Sequence, residues 1–255
     1  MLCCFPLALL GGSVARADTE DGAGPAPLTL QIRLDAGAGT HQSSLPSAGA
    51  TRRVAAAWFP AAGFRLALSQ PPGARLRFGA ELAYLSSLGY ELSRAIEPET
   101  DEHSGARKQE FAALASLAIA LDARPNPTAL PISLGYGLSA FTTDTPLTAA
   151  QAYLLSGPRA GVGIDLPLFD DTLQLSARAE LGANFSATQA LRDAGAGSFG
   201  WSYAFQAEAN LRLVRIVQLG LRYREAHVQL PLAATGSFHE LQRFVLACLT
   251  LRNAI

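Results

Sequence analysis

The chain has 255 residues, of which 49% are hydrophobic and only 16% charged, with a formal net charge of -1. The charged share falls well below the roughly 25% usual in soluble domains, and the even balance of acids and bases excludes a nucleic-acid footprint. Of three cysteines, Cys3 and Cys4 sit in the N-terminal apolar stretch and only Cys248 lies beyond it, so no disulfide, zinc site or lipid anchor is expected.

The first element runs apolar from Leu2 to Val14 and ends in the small-x-small triplet Ala15-Arg16-Ala17 before Asp18. That is the shape of a cleaved secretory signal over residues 1–17, although no basic segment precedes it. It is too short for a membrane helix, which needs about 20 residues. Residues 18–27 form an acidic, Gly- and Pro-containing lead, and the remainder, 28–255, is read as one domain.

From Leu28 the pattern alternates with period two. "LTLQIRLDAGAG" sets Leu28, Leu30, Ile32 and Leu34 on one face and Gln31, Arg33 and Asp35 on the other. Strands follow near 51–69, 75–90, 107–121, 130–141, 151–166, 172–186, 198–213, 217–229 and 239–252, making about ten with the first at 28–39. In "PISLGYGLSAF", Ile132, Leu134, Tyr136 and Leu138 alternate with Ser133, Gly135, Gly137 and Ser139. In a soluble sheet the second face would carry charged or long polar groups, and here it carries hydroxyls and bare backbone. Neither face is therefore expected to meet bulk water.

Connections alternate between tight turns ("QPPGA", "LFDD") and longer polar segments ("THQSSLPSAGA", "SRAIEPETDEHSGA", "TQALRDAGAGS"). The strands exceed the soluble mean of about 5 to 6 residues and reach the 9 to 11 that a tilted strand needs to cross a bilayer. Tyr90, Phe141, Tyr153, Phe185, Phe199, Trp201 and Tyr223 lie near the long-loop ends, as an interfacial aromatic girdle would. These features predict an all-β chain: a transmembrane, antiparallel up-and-down β-barrel with apolar side chains outward and small or charged ones inward.

In its leader, its period-two strands and its alternating turns and loops, the sequence resembles the outer-membrane β-barrel proteins of Gram-negative bacteria, as an architecture and not as one member. The resemblance implies an outer-membrane location, with lipid and the barrel assembly machinery as partners. The chain departs from the class in ending "FVLACLTLRNAI", without a terminal aromatic residue. Two local features are open: whether Phe244, Leu246 and Cys248 or Val245, Ala247 and Leu249 face inward, and whether Val214 to Ile216 turns without Gly, Asn or Pro.

Catalytic constellations are not evident. His41, His103, His227 and His239 fall in or beside the long connections. "DEH" (Asp101 to His103) and "SFHE" (Ser237 to Glu240) lack the spacing that sets a nucleophile beside a base on one strand face. The acidic tip Glu97, Glu99, Asp101 and Glu102 is read as a solvated loop. No cofactor or metal is expected, and the closely spaced glycines of "GVGID" precede no helix, so they are not a phosphate cradle.

The lumen candidates are charged residues in the inward phase. A tight hairpin at 214–216 would set Glu208 opposite Arg222, with Arg178 at a similar height, and Arg65 with Glu81 would form a looser diagonal pair. The reading is a barrel with a structural, interaction or small-pore role, its lumen plugged by this Arg/Glu network. The alternatives are a barrel enzyme with its site at the rim, of the protease or lipid hydrolase kind, and a soluble lipocalin-like ligand-binding barrel, which would need a charge-rich outer face.

Overall fold

The computed structural model describes residues 28–47, 50–71, 74–94, 102–144, 152–186, 199–232 and 236–254. The leader, the acidic lead and the acidic tip from Glu97 to Asp101 lie outside them. Eleven strands form one sheet: β1 (Thr29–Ser47), β2 (Ala50–Ser69), β3 (Leu76–Ser87), β4 (Tyr90–Arg94), β5 (Glu102–Ala120), β6 (Ala129–Thr143), β7 (Tyr153–Leu168), β8 (Leu173–Ser186), β9 (Phe199–Val214), β10 (Val217–Leu232) and β11 (Gly236–Ala254). All neighbours are antiparallel, β3 and β4 share one position between β2 and β5, and β1 pairs with both β2 and β11. The result is a closed barrel of ten staves with no free edge.

The face assignment follows the alternation. Leu134 (64% exposed) and Leu181 (65%) point outward, while Ser139 and Asn184 are buried inside. β11 resolves its two phases the same way: Phe244, Leu246 and Cys248 are buried in the lumen, and Val245, Leu249 and Leu251 are exposed outside. The hairpin at Arg215–Ile216 forms without Gly, Asn or Pro, because its geometry is carried by the ladder on either side. Val217 pairs with Val214, and the Arg252 N–H donates to the Ile216 carbonyl at 2.9 Å.

The strands run further than the sequence suggests. "THQSSLPSAGA", expected as a long loop, is almost entirely strand, since β1 continues to Ser47 and β2 resumes at Ala50. Much of "SRAIEPETDEHSGA" is likewise absorbed into β4 and β5. Polar residues with turn propensity are tolerated there because this part of the barrel, which we call the head, stands beyond the apolar outer band and exposes its outer face to water. Outward positions at this level include Gln42, Arg53, Ser93, Arg107, Glu225 and Arg243.

Two bulges mark the boundary between membrane-spanning body and head. Gly39 pairs with Phe59, but His41 pairs with Ala56, so β2 carries one extra residue at Ala57–Trp58. This shift keeps both Phe59 below and Ala56 and Val54 above pointing inward. On the neighbouring stave the ladder breaks at Leu88–Gly89. There Gly89 takes φ +106°, a conformation free of Cβ strain only for glycine, and the Leu88 N–H bonds to the Pro60 carbonyl at 2.9 Å.

From just below this boundary upward the lumen is mainly apolar. Val54, Phe59, Leu92, Phe141, Leu155, Leu230, Phe238, Phe244 and Leu246 are all buried there as one cluster. The expected girdle is corrected accordingly. Phe185, Trp201 and Tyr223 do face outward, joined by Trp58, Phe111, Tyr136 and Tyr203, but Phe141 and Tyr153 turn into the lumen and Tyr90 packs against its apolar cluster. Phe59 stacks on Tyr90 with centroids 4.1 Å apart, and Phe141 lies between His41 and Tyr153 at 5.2 and 5.4 Å.

Candidate functional site

Through the body and into the head the lumen is crossed by side chains. Alternate positions on each stave bring seven cations (Arg33, Arg65, Lys108, Arg159, Arg178, Arg222, Arg224) and seven carboxylates (Asp35, Glu81, Glu110, Asp165, Glu180, Glu208, Glu240) into the interior of the described residues. Arg77 and Arg252 line the same lumen nearer the short-turn mouth.

At mid-barrel, Arg33 is the hub. Its Nε donates to Asp35 Oδ1 at 2.7 Å, its Nη1 to Glu208 Oε1 at 2.6 Å and its Nη2 to Cys248 Sγ at 3.0 Å. Asp35 also accepts from Arg222 Nη2 at 2.7 Å. Glu208 takes further bonds from Asn210 (2.5 Å) and Gln206 (3.3 Å). These side chains are almost completely shielded, so each charge depends on its partner.

The five residues marked in the sequence all lie in the lumen, with partners that differ in part from those expected. Glu208 and Arg222 do sit opposite each other in the ladder. Their ion pairs, however, run to β1: Glu208 to Arg33 and Arg222 to Asp35. Arg178 aligns with Gln206 and donates to Glu81 at 3.4 Å, while Arg65 Nε approaches Glu81 Oε1 at 3.1 Å. Arg178 and Arg65 therefore share one carboxylate, and Arg178 does not flank Glu208. Arg33 and Asp35, although placed in the inward phase by the sequence, were not marked; closure of β1 onto β11 is what carries them to β9 and β10.

A second group sits higher, where Arg224 pairs with Glu110 and Arg159 donates to Ser202 and, at 3.1 Å, to Asn184. Here the bare face of "PISLGYGLSAF" has its explanation. A Cβ on Gly137 would stand 2.5 Å from Arg159 Nε, and one on Gly182 would stand 2.5 Å from Arg159 Nη1. Glycine leaves the space in which the guanidinium lies flat against the wall.

Inside the head, the apolar cluster encloses one polar knot. Lys108, the sole lysine of the chain, bonds to both oxygens of Glu240 at 3.1 and 3.2 Å and to Tyr153, which itself donates to Glu240. Gln242 Nε2 reaches Glu240 at 2.6 Å, and His41 Nδ1 lies 3.2 Å from the Tyr90 hydroxyl. Sequence reasoning placed His41 beside a loop, and the extension of β1 buries it completely.

The remaining histidine motifs do not assemble a site. In "SFHE", His239 is exposed and Glu240 is buried in the lumen, on opposite faces of β11. In "DEH", Asp101 lies outside the described residues. His227 faces outward, 2.8 Å from Glu225 and stacked on Tyr203. Among the described residues no group of three or more His, Cys, Asp or Glu is gathered as a metal site would need.

No family model matches the chain, and no curated protein matches it in sequence. Solved structures do match. The outer membrane protease OmpT from Escherichia coli aligns with 90% of this chain and 97% of its own at 10% identity and a TM-score of 0.51. The Pseudomonas putida toluene transporter TodX aligns over 91% of both chains at 9% identity and 0.40, and OprG from Pseudomonas aeruginosa over 88% and 96% at 10% and 0.39. The chain shares the architecture of outer-membrane β-barrel proteins, and at such identities the likeness concerns the fold alone.

Proposed function

We propose that the protein is a non-conducting outer-membrane barrel whose role is structural or interactive, exerted through the head that stands above the outer leaflet. The carrying observation is the apolar filling of the head. Phe59, Phe141, Phe244 and Leu246, each at most 2% exposed, occupy the lumen where a porin keeps an aqueous channel. Ions entering from the short-turn end would meet first a paired charge network and then a largely apolar plug, and an ion does not cross such a plug without a large desolvation cost.

The closed head also argues against a rim enzyme. The buried Lys108, Glu240 and Tyr153 line neither of the two lumen cavities formed by the described residues, and their polar groups are spent on one another. The test is single-channel recording of the refolded protein in a planar bilayer. Silence is expected for the native chain, with conductance appearing when Phe59 and Phe244 are both replaced by Ala. Steady conductance of the native chain would refute the reading in favour of a pore.

A further inference from the structure

The short-turn end of the lumen holds open space between the side chains. A cavity of about 200 Å3 reaches from Asn126 and Pro127 in the β5–β6 turn up to Arg33, Glu81 and Glu208 at its floor. At the floor every arginine has a carboxylate. At the mouth the balance fails. Arg77 on β3 and Arg252 on β11 line the cavity, and Arg212 on β9 stands close enough for its charge, with that of Arg77, to repel Arg252. Asp171 is the acid that acts on Arg252 in the other direction. Among the described residues none of these three guanidiniums makes a hydrogen bond or an ion pair within 4 Å, and Arg77 Nε is shut off from solvent without a partner.

Three gathered guanidiniums repel one another, and a purely structural rim would relieve that by pairing them or by turning them out to water. Here Arg77 and Arg252 are half-buried and line a space that also carries the neutral side chains of Gln31, Gln218 and Thr250 and a single carboxylate near the mouth, Asp165, whose charge acts on Arg178. A planar fork of N–H donors matches the oxygen spacing of a tetrahedral oxyanion, and two forks lining one cavity can share the grip on it. The cavity is large enough for such a group.

We propose that this mouth binds a phosphate-class oxyanion, free or carried on a lipid headgroup, gripped by Arg77 and Arg252 with Arg212 adding attraction from further away. The site is separate from the plugged head and does not depend on its role.

The experiment is calorimetric titration of the barrel, folded in uncharged detergent and phosphate-free buffer, with inorganic phosphate and with short-chain phosphatidylglycerol. Saturable binding of at least one is expected, at one equivalent per barrel. Tighter binding of the lipid would assign the headgroup as the natural source, and tighter binding of inorganic phosphate the free anion. Replacing both arginines (Arg77→Gln with Arg252→Gln) should weaken binding at least tenfold. The unliganded melting temperature should hold or rise, because like charges have been removed. Arg243→Gln, on the outer face, should leave affinity unchanged. If the double variant does not fold, Arg252→Gln alone should lose several-fold. No saturable binding by the native barrel, or undiminished binding by the variants, would overturn the proposal.

Discussion

The carboxylate of Asp35 can be removed with almost no change in shape, which makes Asp35→Asn the sharpest probe of the lumen. Asp35 accepts from Arg33 and Arg222 at 2.7 Å each, with side-chain exposures of 1%, 5% and 6%. Arg33 keeps a second carboxylate, Glu208 at 2.6 Å, whereas Arg222 has no other within 4 Å among the described residues. The variant thus strands one buried guanidinium. Stranding a buried charge typically costs about 3 to 5 kcal/mol, in line with an attraction of ~4 kcal/mol for unit charges 4 Å apart at an effective dielectric of 20. Arg222→Met removes the other partner and strands less, because Asp35 retains Arg33. The double variant leaves no orphan, so its loss should fall at least ~2 kcal/mol short of the sum of the two single losses. Urea unfolding in lipid vesicles, followed by the fluorescence of Trp58 and Trp201, reads the cycle. Strict additivity would refute the reasoning, since it would mean that Asp35 and Arg222 do not share an energetic contact. The same cycle on Glu208 and Arg222, neighbours in the ladder that pair elsewhere, should give a much smaller coupling.

Three further outcomes are expected. Leu134→Arg, on the outward face of β6, should cost about 2 to 4 kcal/mol in a lipid refolding assay, and Ser133→Arg should cost clearly less because Ser133 borders the open cavity. Gly37→Ala would put a Cβ 2.1 Å from the Val245 carbonyl oxygen, a backbone atom that cannot yield, and should lower stability by about 1 to 3 kcal/mol in urea titrations, more than Gly137→Ala, whose nearest obstacle is the movable Arg159 side chain. In the turn between β5 and β6, hydrogen bonds from the Arg124 guanidinium and from Thr128 hold the Asp122 carboxyl well below the usual carboxylate range. A lowered folded-state pKa stabilises above the unfolded value of about 3.9 and is lost as pH falls below it, so amide-exchange protection of residues 121–128 should persist from pH 7 to about 4 and then decline.

The barrel itself was readable because each stave keeps a strict period of two over more residues than a bilayer requires. "LQLSARAELGANF" and "PISLGYGLSAF" carry this most clearly, and both face as the alternation dictates. The head was not readable in the same way. Ser, Pro and Gly in "THQSSLPSAGA" carry a turn signal that the long β1–β2 ladder overrides, and the bulge at Ala57–Trp58 shifts the phase where the solvent changes. Lumen membership of Arg65, Glu81, Arg178, Glu208 and Arg222 followed from parity alone. Their partners did not, because an arginine side chain reaches past its ladder neighbour. Arg33 meets Glu208 across 175 positions of sequence only because the last strand closes on the first.

The inversion of polarity along the barrel axis has a mechanical consequence. In the body, oily side chains point out and charges point in; in the head, oily side chains point in and the wet face points out. The two arrangements favour opposite surroundings, so the molecule has one depth at which both are satisfied. Sinking by a residue pair would drag Glu225 and Arg243 toward hydrocarbon, and rising by the same step would lift Tyr223, the outward residue next below Glu225, toward water. The chain is thereby moored along the membrane normal by its own sequence, and a force applied to the head would be resisted from both directions without any anchor outside the barrel.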